Sequence, residues 1–557
     1  MSNEKENKGI AQASTQKKIS FFSAILVVIG SSIGAGIFFK SQSVLDNSEG
    51  SLLLAIFCWI IAAISVVAMA LALVEVVSAR NDNLSVIGWT KVFNSRRLFK
   101  ASKNFMFYIY LPLTYFFMPL YVIMSLQDGI GALVNKDAFT FGTNVDWLIW
   151  TLISLAMSSY FIYASGMSSR VGNIQNKIVT YIKFIPLAAV ALIGFILVGL
   201  NGGGDISIGI PTPESKPTIA AGDTLSAFTP GLGIFLAISA IFFAYDGFYV
   251  AAGIQSEMAE PKKTPMAILF GLLITTAIYL IIAISMSING GSFFGMLDSM
   301  KANWGDTGRI LFGVINIMIA IGVLGIINGF AMWAPRFTED LIKEGELPFS
   351  FKYKNRLNDS RPMVGIMYSF IITIPIVIVF TLIGALGYIG SDSYSIYGKG
   401  MDKLYSFADL MATWTAVFTF GFIMAAIYGC LKNRKTKNVE TDKKSYFKPM
   451  AVIAVIVVGL ALAVTILIPI IDLTLLFSVD KSIEGYIDIV VGRVMLVVAL
   501  LLFAALSFGV SFIEDWINIK KYGSIEQYEA WQSINFDVRW IKLILIILKV
   551  KVKSLSC

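Results

Sequence analysis

Long runs of apolar residues constrain the fold of this chain more than any other feature. About 20 apolar residues in a helix cross the ~30 Å hydrocarbon core of a bilayer, and twelve runs approach or exceed that length. Because lipid cannot satisfy free backbone N–H and C=O groups, each run is expected to be helical. We therefore predict an all-α polytopic membrane protein with twelve transmembrane helices. The predicted spans cover residues 21–39, 52–78, 105–127, 147–165, 176–200, 229–254, 266–288, 310–334, 363–388, 405–430, 450–471 and 488–512.

Composition agrees with this class and excludes others. Only 14% of the residues are charged, whereas a soluble chain carries about 25%. The net charge of +8 does not indicate a nucleic-acid partner, because the positive residues lie in alternate loops. The chain has no histidine, which excludes histidine metal sites and histidine-based catalysis, and it carries no P-loop, paired acids or nucleophile motif. We expect no enzyme activity, no metal site and no cofactor.

The positive residues also predict the orientation of the spans. The connections after the second, eighth and tenth spans each hold at least six Lys or Arg residues. Those after the third, fifth and eleventh spans hold one each, namely Lys136, Lys216 and Lys481. Positive loops remain in the cytoplasm, so both termini are predicted to be cytoplasmic. The compact loops favour the cytoplasmic membrane of a bacterium.

Two predicted spans are interrupted at corresponding places. GSSIGAGIF, residues 30–38, interrupts the first span, and FFAYDGF, residues 242–248, interrupts the sixth. Glycines in membrane helices often serve only close packing, but paired interruptions indicate a transporter site between two inverted repeats. Freed N–H groups attract a carboxylate and freed carbonyls attract an ammonium, which suits a zwitterion. We therefore predict a cytoplasmic tail at 1–20, five-helix repeats at 21–200 and 229–430, two further helices at 450–512 and a cytoplasmic tail at 513–557.

Three motifs in this order resemble those of a known family. They are the glycine stretch above, AYDGF followed by GIQSEMAEPKKTP, and NGFAMWAPRFTEDLIKEGELP at residues 328–348. On these residues the chain resembles the amino acid–polyamine–organocation superfamily, and within it the L-type exchangers and bacterial amino acid permeases.

The resemblance implies a substrate site on the two interruptions. Its carboxylate-binding amides would belong to Ala35, Gly36 and Ile37, and its amine-binding carbonyls to Phe243, Ala244 and Asp246. Phe243 would also be an aromatic lid over the substrate. Many relatives have Ser or Thr where this chain has Ala35, so a hydroxyl contact is lost unless Ser31 or Ser32 provides it. Gly34 is a further pathway candidate.

Ionisable residues inside predicted spans are functional candidates, because burying a charge in lipid is unfavourable by at least about 2.5–3.5 kcal/mol. Lys183 matches a lysine that, in sodium-independent relatives, occupies the space of a sodium ion. We expect it to bond carbonyls of the first span near Gly30 and Gly34 and to couple opening to its protonation. Asp409 has three open interpretations: a partner of Lys183, a proton site, or a polar residue facing the pathway.

Three other features have a preferred or an open interpretation. Asp246 either helps to hold the substrate amine or a cationic side chain, or caps freed N–H groups. Glu75 is expected to be structural and to pair with a cation of an inner loop. The tyrosines of the third span are expected to pack in the core rather than to line the pathway; they are Tyr108, Tyr110 and Tyr115.

The sequence thus favours a secondary transporter that moves free amino acids by alternating access, independently of sodium, by proton coupling or exchange. Its partners would be an amino acid and the lipid bilayer. The alternatives are a polyamine or organic-cation permease, which needs no carboxylate site, and a membrane amino-acid sensor that binds without transporting.

Overall fold

The computed structural model describes residues 20–34, 36–80, 84–201, 231–249, 258–289, 291–358, 361–390, 392–479, 481–482 and 485–536. This part of the chain is all-α, as predicted. Its α-helices are α1 (Phe21–Ser32), α2 (Gly36–Asn47), α3 (Leu52–Ala79), α4 (Val86–Phe93), α5 (Arg96–Phe105), α6 (Leu111–Leu133), α7 (Asp146–Met167), α8 (Ser169–Asn201), α9 (Leu232–Ala244), α10 (Thr264–Ser287), α11 (Met296–Lys343), α12 (Ser350–Tyr353), α13 (Met363–Gly387), α14 (Met401–Thr436), α15 (Phe447–Thr474), α16 (Tyr486–Ala504), α17 (Val510–Tyr522) and α18 (Ile525–Phe536).

Within the described ranges, ten helical stretches are long and apolar enough to cross a membrane. Two shorter apolar helices, Phe21–Gly30 and Leu232–Ala244, lie where the first and sixth spans are predicted. The chain is therefore a multi-pass membrane protein. The total of twelve spans stays a prediction, because neither short helix crosses a bilayer alone. The helix of the last predicted span also continues past the predicted limit of 512, through a π-helical turn into α17.

The first span is broken, as the glycine motif predicts. Helix α1 ends at Ser32, Ile33 is extended with φ −78° and ψ 106°, and α2 begins at Gly36. A Cβ atom added at Gly36 would lie 2.7 Å from the Cα of Ala244. Only glycine permits this approach, so the break in the first span is packed directly against the end of α9.

The sixth span is broken at the matching place. Helix α9 ends at Ala244 and a turn follows over residues 245–247. Gly247 has a φ of 99°, a conformation that glycine adopts without strain. The predicted sixth span extends to 254, and its residues after 249 lie outside the described part of the chain.

The three basic connections meet on one side of the molecule, which we call the basic face. Arg80, after α3, lies 2.5 Å from Glu344, after α11. Arg434, at the end of α14, lies 2.5 Å from Glu75, near the end of α3. The prediction that Glu75 pairs with a loop cation is confirmed. These contacts place on one side the loops that carry the positive charges, as the charge pattern requires.

Candidate functional site

A cavity of about 360 Å³ lies against both breaks. This volume is in the range of small-molecule sites, and apolar side chains form most of its walls. Six residues predicted for the site line it: Gly34, Gly36, Lys183, Phe243, Ala244 and Asp246. Residues distant in sequence therefore form one site, with α8 and α11 providing the opposite wall.

The carboxylate end of the predicted site is the N-terminus of α2. The first N–H groups of a helix have no partner within it, and the helix dipole favours an anion there. Gly36 lines the cavity at this point. The Ile37 side chain is fully buried and is not among the lining groups, so only its backbone could contribute. Ala35 lies outside the described residues.

The predicted substitute hydroxyls are placed less favourably. Ser32 is buried, is not among the lining residues, and its Oγ has no hydrogen-bond partner in the described part of the chain. The Ser31 side chain lies outside what the structure describes. A hydroxyl replacing the one absent at Ala35 therefore stays a prediction.

The amine end is the turn after α9. The Phe243 carbonyl accepts a 3.2 Å hydrogen bond from the Asp246 amide, and the Asp246 side chain faces the cavity. Its Oδ1 accepts from the Gly247 amide at 3.0 Å, and its Oδ2 accepts from the Tyr110 hydroxyl at 2.9 Å. Asp246 thus caps an N–H group of its own turn and still presents a carboxylate to the cavity, so the two interpretations are compatible.

Of the third-span tyrosines, Tyr110 differs from the sequence expectation. It lines the cavity and also hydrogen-bonds the Tyr249 hydroxyl at 3.0 Å. The expectation of simple core packing was wrong for Tyr110, because its phenol reaches a carboxylate on another span. Tyr115 is buried outside the cavity lining, and Tyr108 is also outside that lining.

Lys183 contacts the end of α1. Its Nζ donates to the Gly30 carbonyl at 3.1 Å and to the Ile33 carbonyl at 3.3 Å. Carbonyls in the last turn of a helix lack intrahelical partners, and a cation there is favoured by the helix dipole. The predicted contact between this lysine and the first-span carbonyls is present. Its role in coupling stays a prediction.

Comparison with known proteins identifies the family. The sequence profile of amino acid permeases matches residues 19–478. The chain belongs to the amino acid permease family.

Three relatives illustrate the range of similarity to this permease. An uncharacterized protein of Mycoplasma pneumoniae is 50% identical over 548 residues, covering 92% of this chain and 97% of that protein. The serine/threonine exchanger SteT of Bacillus subtilis is 24% identical over 60% of this chain and 70% of its own. The human b(0,+)-type amino acid transporter 1 is 21% identical over 65% of this chain and 70% of its own.

Asp409 of the permease does not pair with Lys183, and that interpretation was wrong. Its Oδ1 lies 2.7 Å from the Nζ of Lys40, a fully buried lysine on α2. Lys40 also donates to the Asp409 carbonyl at 2.6 Å and to Thr413 Oγ1 at 2.9 Å, and the Tyr121 hydroxyl donates to Asp409 at 2.8 Å. Asp409 is not among the residues that line the cavity.

Lys40 was not among the residues predicted for the site. It stands one residue beyond the predicted limit of the first span, where a lysine is usually taken as a flank that reaches water. The break in the first span moves its outer end, because α2 continues to Asn47. A cation just after the predicted first span and an acid in the predicted tenth span were the available sequence signal for this pair.

Phe243 of the permease lies between the cavity and this ion pair. It lines the cavity, and its ring centroid lies 5.0 Å from the Nζ of Lys40. The rings of Phe117 and Tyr121 pack against it at 5.6 and 6.0 Å. Ser85, in the connection after α3, lines the cavity elsewhere. The cavity therefore extends toward the basic face and is closed by aromatic rings on the side of Lys40.

Proposed function

We propose that this permease is a secondary transporter that moves free amino acids across the cytoplasmic membrane of a bacterium by alternating access. The observation that carries the proposal is the meeting of Gly36 and Ala244 at one cavity. A helix N-terminus that attracts an anion and a helix C-terminus that attracts a cation lie side by side there. An α-amino acid carries both charges in one small molecule, on two groups attached to the same carbon atom.

The proposed transport is independent of sodium and is driven by protons or by exchange. The Lys183 ammonium supports this, since it already provides a positive charge to the carbonyls of Gly30 and Ile33. Two relatives with a stated activity, an exchanger and an amino acid transporter, support the same class. With the basic face in the cytoplasm, the described conformation is the inward-facing one.

The test is uptake by the purified permease in liposomes. Labelled basic, neutral and acidic amino acids are supplied with sodium or potassium, with and without a pH gradient, and with each amino acid preloaded. We expect accumulation that a pH gradient or a preloaded amino acid increases and that sodium does not change. Binding without uptake would favour the sensor. If a moderate excess of a decarboxylated amine reduces neither binding nor uptake of the amino acid, the amino acid site is favoured. Equal competition by that amine would instead favour the organic-cation permease.

A matched pair of variants tests the site itself. Gly36→Ala places a Cβ atom 2.7 Å from the Cα of Ala244 and should abolish uptake by forcing the two breaks apart. Gly199→Ala, also on a membrane helix, adds a Cβ atom with nothing within 4 Å and should leave uptake within about twofold of the wild type. Full uptake by Gly36→Ala would contradict the proposed site.

A further inference from the structure

The connection between α14 and α15 carries positive charge that the rest of the protein does not neutralise. Residues 432–448 hold seven basic side chains and two acidic ones. Two of the basic side chains are paired, Arg434 with Glu75 and Lys444 with Asp442. The other five are exposed, and within the described ranges none has a carboxylate at ion-pair distance. They are Lys432, Lys435, Lys437, Lys443 and Lys448.

The orientation of the protein in the membrane does not by itself account for this excess. In α5, on the same basic face, Lys100 lies 2.6 Å from Asp515 and Lys103 lies 2.9 Å from Glu514. Those lysines satisfy the charge pattern of a cytoplasmic connection and are neutralised by acids of α17. The charge at the α14–α15 connection faces outward instead, and it favours a negatively charged partner outside the chain.

The α14–α15 connection is held in a defined shape. The Asn433 side chain donates to the Val439 carbonyl at 2.8 Å and accepts from the Val439 amide at 2.9 Å. The Glu75 carboxylate accepts from Arg434 at 2.5 Å and from the Lys444 amide at 2.8 Å, which ties the connection to α3. A ligand that binds the lysines therefore meets a preorganised surface, and little chain entropy is lost on binding.

Lys448 stands at the end of a face that contacts lipid. It lies in the first turn of α15, and Val452 and Ile456 follow it at intervals of four residues, 45% and 54% exposed. Residues four apart share one face of a helix. Since α15 is one of the apolar spans, this exposed face lies against acyl chains, and Lys448 lies where the headgroups begin.

The end of α14 has a similar arrangement. Tyr428 is 46% exposed, and the Nζ of Lys432 lies 4.7 Å from the centroid of its ring. Tyrosine rings and lysine side chains are typical of the boundary between acyl chains and water. Lys435 lies in the last turn of the same helix. Because α14 and α15 pack against each other, the three lysines belong to adjoining helix ends at the membrane surface.

The other two lysines of the connection have different surroundings. Lys437 and Lys443 line a recess of about 430 Å³, and Glu440 and Asp442 are in the same wall. These carboxylates repel a phosphate, so the recess is a poor anion site.

We propose that Lys432, Lys435 and Lys448 form a binding site for an anionic phospholipid of the cytoplasmic leaflet. The lipid phosphate bonds the ammonium groups, and the acyl chains lie along the exposed apolar face of α15. Basic clusters next to a membrane span attract anionic lipid. The site is separate from the amino acid cavity, since none of the three lysines lines that cavity, and it does not depend on the transported substrate.

The experiment measures binding of a fluorescent phosphatidylglycerol to the purified full-length permease in an uncharged detergent. The competitors are unlabelled phosphatidylglycerol, phosphatidylcholine and glycerol phosphate. Phosphatidylcholine should compete at least about tenfold less well than phosphatidylglycerol, because its headgroup has no net charge. Glycerol phosphate should also compete at least tenfold less well, because it lacks acyl chains. Equal competition by phosphatidylcholine or by glycerol phosphate would overturn the proposal.

A triple variant tests the three lysines. One lysine near an anionic surface strengthens binding about fivefold, so loss of all three should weaken phosphatidylglycerol binding at least about tenfold. The variant combines Lys432→Gln, Lys435→Gln and Lys448→Gln. Arginine at the same three positions keeps the charge and should keep the affinity within about threefold. Unchanged binding by the glutamine variant, or an equal loss in the arginine variant, would overturn the site.

A matched control removes the same charge elsewhere. It changes exposed basic residues of two other connections and should leave phosphatidylglycerol affinity within about twofold of the wild type. The control combines Lys262→Gln, Lys352→Gln and Arg356→Gln. An equal loss in this variant and in the site variant would show that total charge governs lipid binding, and the proposed site would then be wrong.

Discussion

Two lysines lie at the broken first span, Lys40 within it and Lys183 bonded to it, and their surroundings differ. Lys40 lies on α2 with a side-chain exposure of 0%. Each of its three donor positions has an acceptor, in the Asp409 carboxylate, the Asp409 carbonyl and Thr413. Lys183 lines the cavity and donates to two carbonyls. Among the described residues, no carboxylate lies within ion-pair distance of it.

The difference suggests two roles: Lys40 holds one side of the cavity closed, and Lys183 couples transport to its own protonation. A buried ammonium bonded to a carboxylate is strongly held, because losing its charge would leave that carboxylate buried and alone. Deprotonation of an ammonium that is bonded only to neutral carbonyls is much less unfavourable, since no opposite charge is left uncompensated. Lys40 therefore suits a fixed closure beside Phe243, and Lys183 suits a site that changes state during the transport cycle.

The largest expected effect is on stability at Lys40. Lys40→Met leaves the Asp409 carboxylate without its cation, and removal of one partner of a buried pair typically destabilises by about 3–5 kcal/mol. We expect a marked fall in the thermal unfolding temperature of the purified protein in detergent. The double change Lys40→Met with Asp409→Asn should recover most of that loss, because no charge then remains unpaired. Lys136→Met, at an exposed lysine, is the control and should have little effect.

Unchanged stability of Lys40→Met would show that the Lys40–Asp409 pair does not hold that side of the cavity closed. A double variant no more stable than the single one would show that Lys40 acts through packing rather than through charge. Either result would remove the contrast with Lys183.

Lys183→Ala is the second prediction, with a smaller effect on stability and a larger one on transport. Loss of hydrogen bonds to the Gly30 and Ile33 carbonyls should reduce the free energy of unfolding by about 1–3 kcal/mol. In liposomes, uptake should fall and lose its response to a pH gradient, because no titrating ammonium remains at the end of α1. A fully active variant, whether unchanged or driven by sodium, would defeat the coupling role.

Much of this arrangement was predictable from local sequence. The spans follow from apolar runs, and the breaks follow from glycines at 30–36 and the turn at 245–247; neither depends on which distant residues make contact. The Lys183 contact was predictable for a different reason. The resemblance to a family supplied a partner, and the last carbonyls of α1 need a donor whatever the sequence around them.

What could not be predicted depends on partner choice across the bundle. Lys40 and Asp409 are 369 residues apart, and a charge at a span boundary gives no sign of whether it faces water or a carboxylate. Tyr279 is one of 21 tyrosines, and only the packing of α10 in the bundle brings its hydroxyl to the carbonyls of Ser32 and Ala244, at 2.7 and 2.8 Å. Tyr110 was assigned to the core because its partner, Asp246, lies on another span and the sequence does not indicate that the two residues meet.

The smallest expected effect extends the comparison to a third lysine, on the basic face. Lys91 lies 2.9 Å from Glu346; the lysine side chain is 34% exposed and the glutamate side chain 8%. Water and salt therefore reach this pair from the lysine side and weaken it relative to the pair of the fully buried Lys40. Burial alone would raise the pKa of Glu346, but the ammonium groups of Lys91 and Lys103 outweigh it and hold that pKa below its ordinary value of 4.5.

Glu346→Gln should reduce the free energy of unfolding at pH 7 by about 0.5–1 kcal/mol. Because the folded-state pKa is lowered, the contribution of Glu346 is complete above pH 4.5 and is lost as the pH falls from there through the lowered folded value. Wild type and variant, compared by denaturant unfolding in detergent, should therefore converge on acidification, and also in molar salt. A stability difference as large as that for Lys40→Met, or one that persists in acid and in salt, would show that exposure does not distinguish these lysines. The contrast between the two ion pairs would then have to rest on geometry alone.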